Sequence, residues 1–499
     1  MKFAIAPVIL VLSVFTIESL AESLPECLCC SILAREPRLQ GKVLAPGTGA
    51  YDARLGSYYS ANAALAPRCM VMPTDTPDVA RIAELISKYR CPFGMRSGAH
   101  SAWKGSNGCG TGVTVDFGHM NTTIYDERTR IASIQPGAVW ENVFTALRPY
   151  NVTAVGGRAS VVGVGGFITG GGYSFHTNAH GFACDSVANF EIVLANGVVV
   201  NANARENPDL WKAQKGGSGN LGFVTRVDLR VVNSTDMWGG LVEYDSSQRD
   251  ALFEAYINFA DDAETDPASQ NIVASYFDKT GHGHRAILTN VDGREAPPAF
   301  NEYMLLKNKS STLRKGPVAE IVPEFTGVTP LGLCANWIVG QFRSDIRVMN
   351  FIDDKLQEYG SKMQTAVPGC EFEMLLQFQP FTQNMVNHSI ANGGNILGLE
   401  RVLADGPTSN WLLALTVDKE ANQDTLLPMA LELRDEVNAY ARELGMFKEW
   451  SYLNYAYADQ NPIATYGEEN IALLRAVAAK VDSNGVFQRL RTTGFKLPA

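Results

Sequence analysis

The chain has 499 residues, of which 46% are hydrophobic and 19% are charged, and its formal net charge is −10. The length predicts two or three domains at roughly 150 residues per domain, and the composition is typical of a packed globular protein, not of a disordered chain. The negative charge argues against nucleic-acid binding, which usually requires a basic face.

The first residues have the pattern of a secretory signal. Lys2 precedes an apolar run over residues 3–15, and small residues stand at the cleavage spacing in residues 19–21. The run is too short for a comfortable membrane span. The pattern therefore predicts a signal peptide over residues 1–21, a protein that is secreted or enters the secretory pathway, and no stable membrane insertion. The alternative is that this segment is a buried helix or a retained anchor.

Sequons and cysteines bear on the same prediction. N-glycosylation sequons agree with secretion, although they also arise by chance. Their asparagines are Asn121, Asn151, Asn233, Asn308 and Asn387. The nine cysteines show no zinc-type spacing with each other or with histidine, so we predict no metal site. An oxidising compartment would allow disulfides, and the odd count leaves at least one thiol without an intramolecular partner, but the sequence leaves the pairing open.

Residues 45–235 carry short, closely spaced elements. The segment "TPDVARIAELISKYR" predicts an amphipathic helix capped by Thr76, and "CPFGMRSG", "GVTVDFG", "IASIQPG" and "FVTRVDLRVV" predict strands. "FEIVLANGVVVNAN" predicts a hairpin that turns at Asn196 and Gly197. Asn207 and Pro208 open a further helix. The strands lie too close together for a regular array of βαβ units, so this region is mixed α and β.

Residues 236–440 differ from what precedes them. Long helical patterns such as "SQRDALFEAYINFADD" and "LLPMALELRDEVNAYARELG" alternate with strands, and glycine becomes less frequent. We interpret this stretch as a second domain. After it, "SYLNYAYADQNPIATYGEEN" is aromatic and typical of a loop, and it leads into the helix "NIALLRAVAAKVD" and a short tail.

Glycine is densest in "GGRASVVGVGGFITGGGYS", residues 156–174. Successive main-chain N–H groups in such a run can form a concave nest that suits a pyrophosphate, and the scarcity of basic residues implies that amide dipoles would hold it. The alternative is a tight structural loop. "GSGNLG" at residues 217–222 matches GxGxxG, but a helix precedes it and a strand follows it, which is the reverse of a nicotinamide-binding Rossmann motif.

Several segments together resemble one family. "RSGAHS", "GVGGFITGGGYS", "GFACDSVANFEIVLANGVVV", "PDLWKAQKGGSGNLGFVT" and the tail from "YLNYAYADQ" to "TTGFKL" match, in identity and order, the berberine-bridge-enzyme-like oxidases. These belong to the vanillyl-alcohol-oxidase and p-cresol-methylhydroxylase superfamily of FAD enzymes. The segments near the start are most similar to secreted or secretory-pathway fungal members, which often belong to secondary-metabolite pathways.

The resemblance implies an α+β fold with a two-part FAD-binding domain of the p-cresol methylhydroxylase type. Its halves are residues 22–235 and 446–499, and residues 236–445 form a substrate-binding domain with an antiparallel sheet and flanking helices. The resemblance also assigns residues to the cofactor. These are Arg96, Ser97, Gly98, Ala99, His100, Ser101, Gly163, Gly165, Gly166, Gly171, Gly172, Ser174 and Asn454.

His100 takes the position of the histidine that bonds covalently to the flavin in this family. A neutral imidazole is a nucleophile near pH 7, so the chemistry is plausible unaided, although a lone histidine is more often a structural, hydrogen-bonded one. The sequence departs from the family twice. Ala99 replaces the second glycine of the RSGGH motif, and Ala159 stands where some members carry a second, cysteine tether. The resemblance therefore implies FAD attached through one histidine.

The family oxidises its substrate by hydride transfer to the flavin, which oxygen commonly reoxidises. Removing a hydride from an alcohol requires a base for the hydroxyl proton, and Tyr452 is the candidate, with aromatic packing as the alternative. Gln379 and its aromatic neighbours are candidates to line the substrate pocket, whereas His282 and His284 are interpreted as a polar turn. The substrate would be a small organic molecule, either a secondary metabolite or a sugar.

Two other functions stay open at this point. One is a flavin-dependent oxidative cyclase of a biosynthetic pathway. The other is a secreted, non-catalytic glycoprotein of the same fold.

Overall fold

The computed structural model describes residues 24–233, 236–326 and 331–498. The predicted signal peptide, residues 1–21, lies outside the described residues. The chain forms small sheets from its first part and one large antiparallel sheet from its middle, with helices around them. The α+β prediction is therefore confirmed.

A four-stranded sheet opens the fold in the order β1-β2-β4-β3, with β2, β3 and β4 parallel. Its strands are β1 (Val43–Leu44), β2 (Cys69–Val71), β3 (Phe93–Arg96) and β4 (Val113–Asp116). The helices here are α1 (Leu24–Arg35), α2 (Gly49–Leu55) and α3 (Thr76–Tyr89). Parallel neighbours require a crossover, and α3 supplies the one between β2 and β3.

The amphipathic helix is present as predicted, but its cap is different. Asp75 is the N-cap, and its carboxylate accepts a hydrogen bond from the amide of Asp78 at 2.8 Å. Thr76 is the first helical residue, and its hydroxyl donates to Glu191 at 2.6 Å instead. A carboxylate at the N-terminus also interacts favourably with the helix dipole, so Asp75 suits this position.

Two disulfides fasten α1 to this sheet. Cys29 bonds to Cys91, and Cys30 bonds to Cys69. Adjacent positions on a helix point in different directions, so neighbouring cysteines reach two different elements. The sequence could not give this pairing because it depends on how α1 lies on the sheet.

A five-stranded antiparallel sheet follows in the order β5-β6-β10-β8-β9. Its strands are β5 (Thr123–Asp126), β6 (Ile131–Ile134), β8 (Val187–Val193), β9 (Val199–Asn203) and β10 (Phe223–Arg230), while β7 (Val152–Thr153) pairs with β11 (Val232–Asn233). The helices here are α4 (Trp140–Leu147), α5 (Val164–Thr169), α6 (Thr177–His180) and α7 (Pro208–Gln214). The predicted hairpin joins β8 to β9, and Gly197 takes the positive φ of 82° that its turn requires.

The middle of the chain forms a large antiparallel sheet whose main path runs β15-β12-β14-β13-β18-β19-β17, with β16 added beside β12. Its strands are β12 (Met237–Tyr244), β13 (Ser269–Asp278), β14 (Gly281–Asn290), β15 (Asn308–Ser311), β16 (Arg314–Gly316), β17 (Cys334–Arg343), β18 (Phe372–Phe381) and β19 (Thr408–Val417). Its helices are α8 (Arg249–Asp261), α9 (Asn301–Leu305), α10 (Val318–Thr326), α11 (Ile346–Ala366), α12 (Gln383–Ala391), α13 (Leu399–Val402) and α14 (Glu420–Glu443).

The strand period of two decides which side chains of this sheet face the active-site cavity described below. On β18, Met374, Leu376 and Phe378 pack into the core beneath α8, α11 and α14, whereas Leu375 and Gln377 point the other way. The same alternation recurs on β13, β14, β17 and β19. One face of the sheet therefore packs into a closed core, and the other face forms a wall of the cavity.

The tail returns to the first part of the chain through α15 (Glu468–Val481) and α16 (Val486–Arg489). The ring of Phe487 lies 5.8 Å from Phe93 and 5.0 Å from Phe223, centroid to centroid. The amide of Thr492 also donates to the carbonyl of Phe93 at 2.9 Å, so the tail extends the edge of the first sheet. In the portion of the chain that the structure describes, none of the helices combines the length and the apolar character that crossing a bilayer requires.

Candidate active site

One cavity of about 400 Å³ lies where the three parts of the chain meet. The first part contributes glycine-rich loops, and the large sheet contributes its open face. The tail contributes two segments, near residues 452–455 and 491–495. The cavity therefore brings together residues that are hundreds of positions apart in the chain.

The two glycine-bearing motifs touch each other at one wall of this cavity. A Cβ atom on Gly98 would overlap the backbone of Gly163, and a Cβ on Gly163 would overlap the backbone of Gly98. The hydroxyl of Ser97 donates to the carbonyl of Pro136 beside this crossing. Only glycine allows two backbones to approach so closely, so these residues are fixed by the crossing itself.

Gly171, Gly172 and Ser174 lie behind this wall and are not among its lining residues. That they contact the cofactor stays a prediction. The two glycines have φ values of 112° and 86°, and they turn the chain so that the amides of Gly172 and Tyr173 point at the hydroxyl oxygen of Tyr452, at 3.0 and 2.8 Å. Their role is to hold Tyr452.

Tyr452 is locked in place by these contacts. Its oxygen also accepts from the side-chain amide of Asn454 at 3.1 Å, and the residue is 1% exposed. Burial raises the pKa of Tyr452 far above its usual value, although the hydrogen bonds from Asn454 and the amide of Tyr173 act in the opposite direction. These surroundings favour a neutral phenol, and the role of Tyr452, which also lines the cavity, as the base stays a prediction.

A second tyrosine of the same motif is better placed. The hydroxyl oxygen of Tyr455 accepts from Nη2 of Arg158 at 2.6 Å, and both residues line the cavity. A charged donor at this distance orients the hydroxyl oxygen of Tyr455 toward the guanidinium within the cavity. Gln379 accepts a hydrogen bond from the same Nη2 and lies behind Arg158, so Gln377 takes the lining position on β18 that was predicted for Gln379.

His100 lies where the loop wall and the sheet wall meet. Its ring stacks on Tyr59 with centroids 4.0 Å apart and meets the edge of Trp337, on β17, at 5.4 Å. Burial lowers the pKa of His100 to about 4. The imidazole is therefore neutral at physiological pH, which is the form that acts as a nucleophile.

Comparisons with known proteins agree with this geometry. A family model described as an FAD binding domain matches residues 67–203. The FAD-dependent monooxygenase drtC of Aspergillus calidoustus is 37% identical over 94% of this chain and 90% of its own length. The FAD-dependent monooxygenase sdcF of Emericella nidulans is 35% identical over 94% of this chain and 98% of its own length.

The chain belongs to the same family of FAD-binding oxidoreductases as these two relatives. Solved structures show the same fold. The 6-hydroxy-D-nicotine oxidase of Arthrobacter nicotinovorans superposes with a TM-score of 0.76 at 20% identity, over 92% of this chain and 99% of that one. The berberine bridge enzyme of Eschscholzia californica gives 0.74 at 14% identity, over 95% and 99%. The protein is thus an FAD-binding oxidoreductase, and the non-catalytic alternative is set aside.

The open space beside Gly166 indicates that the cavity fits a flavin. Glycine inside a helix such as α5 is normally less stable than alanine by about 0.5–1 kcal/mol. A Cβ on Gly166 would nevertheless meet no protein atom within 4 Å, and the residue lines the cavity. The protein itself gives no reason for a glycine here, whereas a flat cofactor lying against the helix does. The residues present therefore fit FAD.

The other end of the cavity fits the phosphates of FAD. Arg491 is 3% exposed, and its Nη2 donates to Asn220 and to the carbonyl of Phe495 at 2.7 and 2.8 Å. None of the described residues supplies a carboxylate that pairs with it, and burial lowers its pKa to about 9. A buried guanidinium without an acid suits a pyrophosphate. The expectation that amide dipoles of the glycine run would hold the phosphates stays a prediction, and Arg491 is a further candidate for this role.

The guanidinium of Arg96, in contrast, is bound by other groups of the protein. Its guanidinium lies 3.5 Å from the buried Asp116, donates to the carbonyl of Arg54 and covers the ring of Tyr58 at 4.0 Å. Burial lowers the pKa of Arg96 while Asp116 opposes the change. Arg96 borders the cavity but its charged group is engaged in holding the RSGAH loop.

The two departures from the family motif have clear structural settings. Ala99 has a φ of 54°, the left-handed region that favours glycine, and it packs with Tyr58 and Ala63. Ala159 lines the cavity, and no cysteine does so among the described residues. Ser101, Gly165 and Asn454 also stand on the wall.

His282 and His284 do not form a turn, as was predicted, but lie on β14. Both Nε2 atoms contact Oδ1 of the buried Asp353 on α11, at 2.8 and 3.1 Å. Burial would raise the pKa of Asp353, but the hydrogen bonds from His282 and His284 outweigh it and hold the pKa well below its usual value. The cluster lies on the helix-covered face of the sheet, away from the cavity.

Sequence reasoning missed several wall residues, namely Tyr59, Arg158, Ser218, Gly219, Trp337, Gln377 and Arg491. For two of these residues, Arg158 and Ser218, the sequence contained a recognisable pattern. Arg158 is the single charged residue within the glycine run of residues 156–174. Ser218 belongs to "GSGNLG", which is indeed no Rossmann motif but still lines the cofactor cavity, with an unusual φ of 55°.

Proposed function

We propose that this protein is an oxidase that removes a hydride from an alcohol, or a similar C–H group, of a small organic molecule and passes the electrons to oxygen, with FAD attached covalently through His100. The observation that carries the proposal is the position of His100. A neutral imidazole stands between Tyr59 of the first part and Trp337 of the sheet, in the same cavity that Gly166 lines.

In this proposal, Tyr455 and Arg158 act on the hydroxyl proton of the substrate. FAD, when bound, supplies the hydride acceptor and returns the electrons to oxygen as hydrogen peroxide. Tyr455 would accept the hydroxyl proton of the substrate as a phenolate and become a neutral phenol, and Nη2 of Arg158 donates to its oxygen from 2.6 Å. Tyr452 positions the glycine turn behind the flavin wall. Gly163 and Gly98 keep the loops closed together.

Covalent attachment can be tested by denaturation. Protein precipitated in acid should remain yellow after washing, and a peptide that contains His100 should carry the flavin mass while no cysteine peptide does. His100→Ala should release any flavin when it is unfolded. If the flavin of the unaltered protein washes into the supernatant, the covalent assignment is wrong.

Product analysis tests the reaction itself. Candidate alcohols are incubated with the holoprotein under isotopically labelled oxygen, with hydrogen peroxide measured in parallel. An oxidase yields peroxide and a product that has lost two hydrogen atoms, and a ring closure in that product would support the cyclase alternative. The relatives drtC and sdcF are named monooxygenases. Incorporation of labelled oxygen into the product would favour that reaction and reject simple oxidation.

We also propose that the protein enters the secretory pathway. All five sequon asparagines are exposed, and the two disulfides close to the N-terminus suit an oxidising compartment. An N-glycosidase should increase the gel mobility of the native protein. An unglycosylated protein that begins at Met1 would contradict this proposal.

A further inference from the structure

Arg158 is a buried cation that the protein does not neutralise. It is 9% exposed and lines the cavity. Its Nη2 is shared by Tyr455 and Gln379, and its guanidinium lies 4.1 Å above the ring of Tyr173. Its Nη1 is buried and has no hydrogen-bond partner.

An acid that would balance this charge is missing from the surroundings. Within residues 24–233, 236–326 and 331–498, no carboxylate oxygen lies within 4 Å of Arg158. Residues 327–330, which the structure does not describe, read Gly-Val-Thr-Pro and contain no acidic residue. Leaving a charged donor buried and unpaired is expensive, so a partner from outside the chain is expected when the site is in use.

The two other deeply buried arginines differ from Arg158 in their surroundings. Arg96 is paired with Asp116. Arg491 has no acid but stands at the opposite end of the cavity, where the phosphates of FAD provide one. Arg158 also lacks an acid, yet it lies beside Tyr455 at the sheet end, where the substrate must sit. Tyr455 and Gln379 occupy Nη2 only, which leaves the buried Nη1 donor for an oxygen of the substrate.

We propose that Nη1 of Arg158 binds an oxyanion of the substrate, a carboxylate or ionised phenol carried on an aromatic ring. The proposal rests on the proposed function, since it describes the substrate of that same site. The walls around Arg158 suit a flat apolar body, because Trp337, Phe325 and Phe175 surround it with Ile272 and Ile287 of the sheet. A charge-assisted hydrogen bond from Nη1 then fixes the ring with its oxidisable group near Tyr455. A neutral sugar would leave the guanidinium unpaired.

The test compares two ligands of equal shape on the holoprotein. Naphthoate carries the charge, and naphthamide is its neutral counterpart. Binding is followed by the change in flavin absorption. We expect the unaltered protein to bind naphthoate at least ~10-fold more tightly than naphthamide, and Arg158→Gln to lose this preference while its affinity for naphthamide stays within about 3-fold.

Arg285→Gln is the matched control. Arg285 extends from the same sheet, lies over Tyr276 and pairs with Glu373 outside the cavity, so its loss should leave the ratio of the two affinities unchanged. Arg158→Lys keeps the charge and should retain part of the preference, which keeps the test decisive if Arg158→Gln does not fold.

Two outcomes would overturn the proposal. The first is equal binding of both ligands by the unaltered protein, and the second is a preference that survives Arg158→Gln. If the reduction potential of the flavin shifts in that second case, the guanidinium is assigned to the cofactor. Failure of the proposed function is distinguishable, because a protein without oxidase activity could still show an Arg158-dependent preference for naphthoate.

Discussion

The two ends of the cavity are built by different means. At the flavin wall the chain uses its backbone: Gly98 and Gly163 cross with no room for a Cβ, and Gly166 leaves its Cβ position empty for a ligand. At the sheet wall the chain uses side chains, and Arg158, Gln377 and Tyr455 come from three distant segments. A wall made of backbone tolerates few sequences, whereas a wall made of side chains can change its ligand by substitution. The flavin wall therefore indicates which cofactor binds, and the sheet wall determines which substrate fits.

Substitution of the flavin-wall glycines should show the largest effects. Gly163→Ala places a methyl group inside the backbone of Gly98 and should destabilise the fold by about 3 kcal/mol, seen as loss of soluble holoprotein. Gly166→Ala is the control within the same helix. It should fold normally but retain much less flavin, measured by the ratio of flavin to protein absorbance. A Gly166→Ala protein with full flavin would mean that no cofactor lies there.

Substitution of the two tail tyrosines, Tyr455 and Tyr452, should distinguish a catalytic role from a structural one. Tyr455→Phe should reduce the rate of flavin reduction by substrate by ~10²-fold or more, measured by anaerobic stopped-flow. Tyr452→Phe leaves the amides of Gly172 and Tyr173 without their acceptor. It should lower stability by about 1–3 kcal/mol with a smaller effect on that rate. The reverse pattern would return the role of base to Tyr452.

The rigidity of the sheet wall should depend on the cluster behind it. Asp353→Asn removes the carboxylate shared by His282 and His284 and should cost about 2 kcal/mol of unfolding free energy at neutral pH. Because the folded pKa of Asp353 is depressed, its contribution is present above the unfolded value near pH 4 and is lost as the pH falls further. Denaturant titrations should show the difference between the two proteins shrinking below about pH 4. A difference that is independent of pH would contradict this account.

The smallest effect is expected at Ala99. Ala99→Gly relieves a left-handed backbone that costs roughly 1 kcal/mol, but it removes a buried methyl group and loosens the unfolded chain. These contributions oppose each other, so the free energy of unfolding should change by less than about 1 kcal/mol, as measured by denaturant titration of the holoprotein. A large loss of stability would show that the packing of the methyl group against Tyr58 dominates.

The sequence by itself determined the local elements and the backbone-built wall. The amphipathic period predicted helix α3, the Asn196–Gly197 pair predicted the β8–β9 hairpin, and the resemblance of several segments to one family implied a flavin enzyme. These features depend on neighbours along the chain or on positions where only glycine fits, so they are visible without a fold.

Only the tertiary structure decided the rest. The disulfide pairing follows from how α1 lies on the first sheet. The preference for Tyr455 over Tyr452 follows from which hydroxyl the main-chain amides occupy, and the separate roles of Arg96, Arg158 and Arg491 follow from which of them meets a carboxylate. Contacts between residues such as Arg158, Gln379 and Tyr455 join positions hundreds apart. No local pattern records them, because the free energy of a buried charge depends on its surroundings and not on its neighbours in sequence.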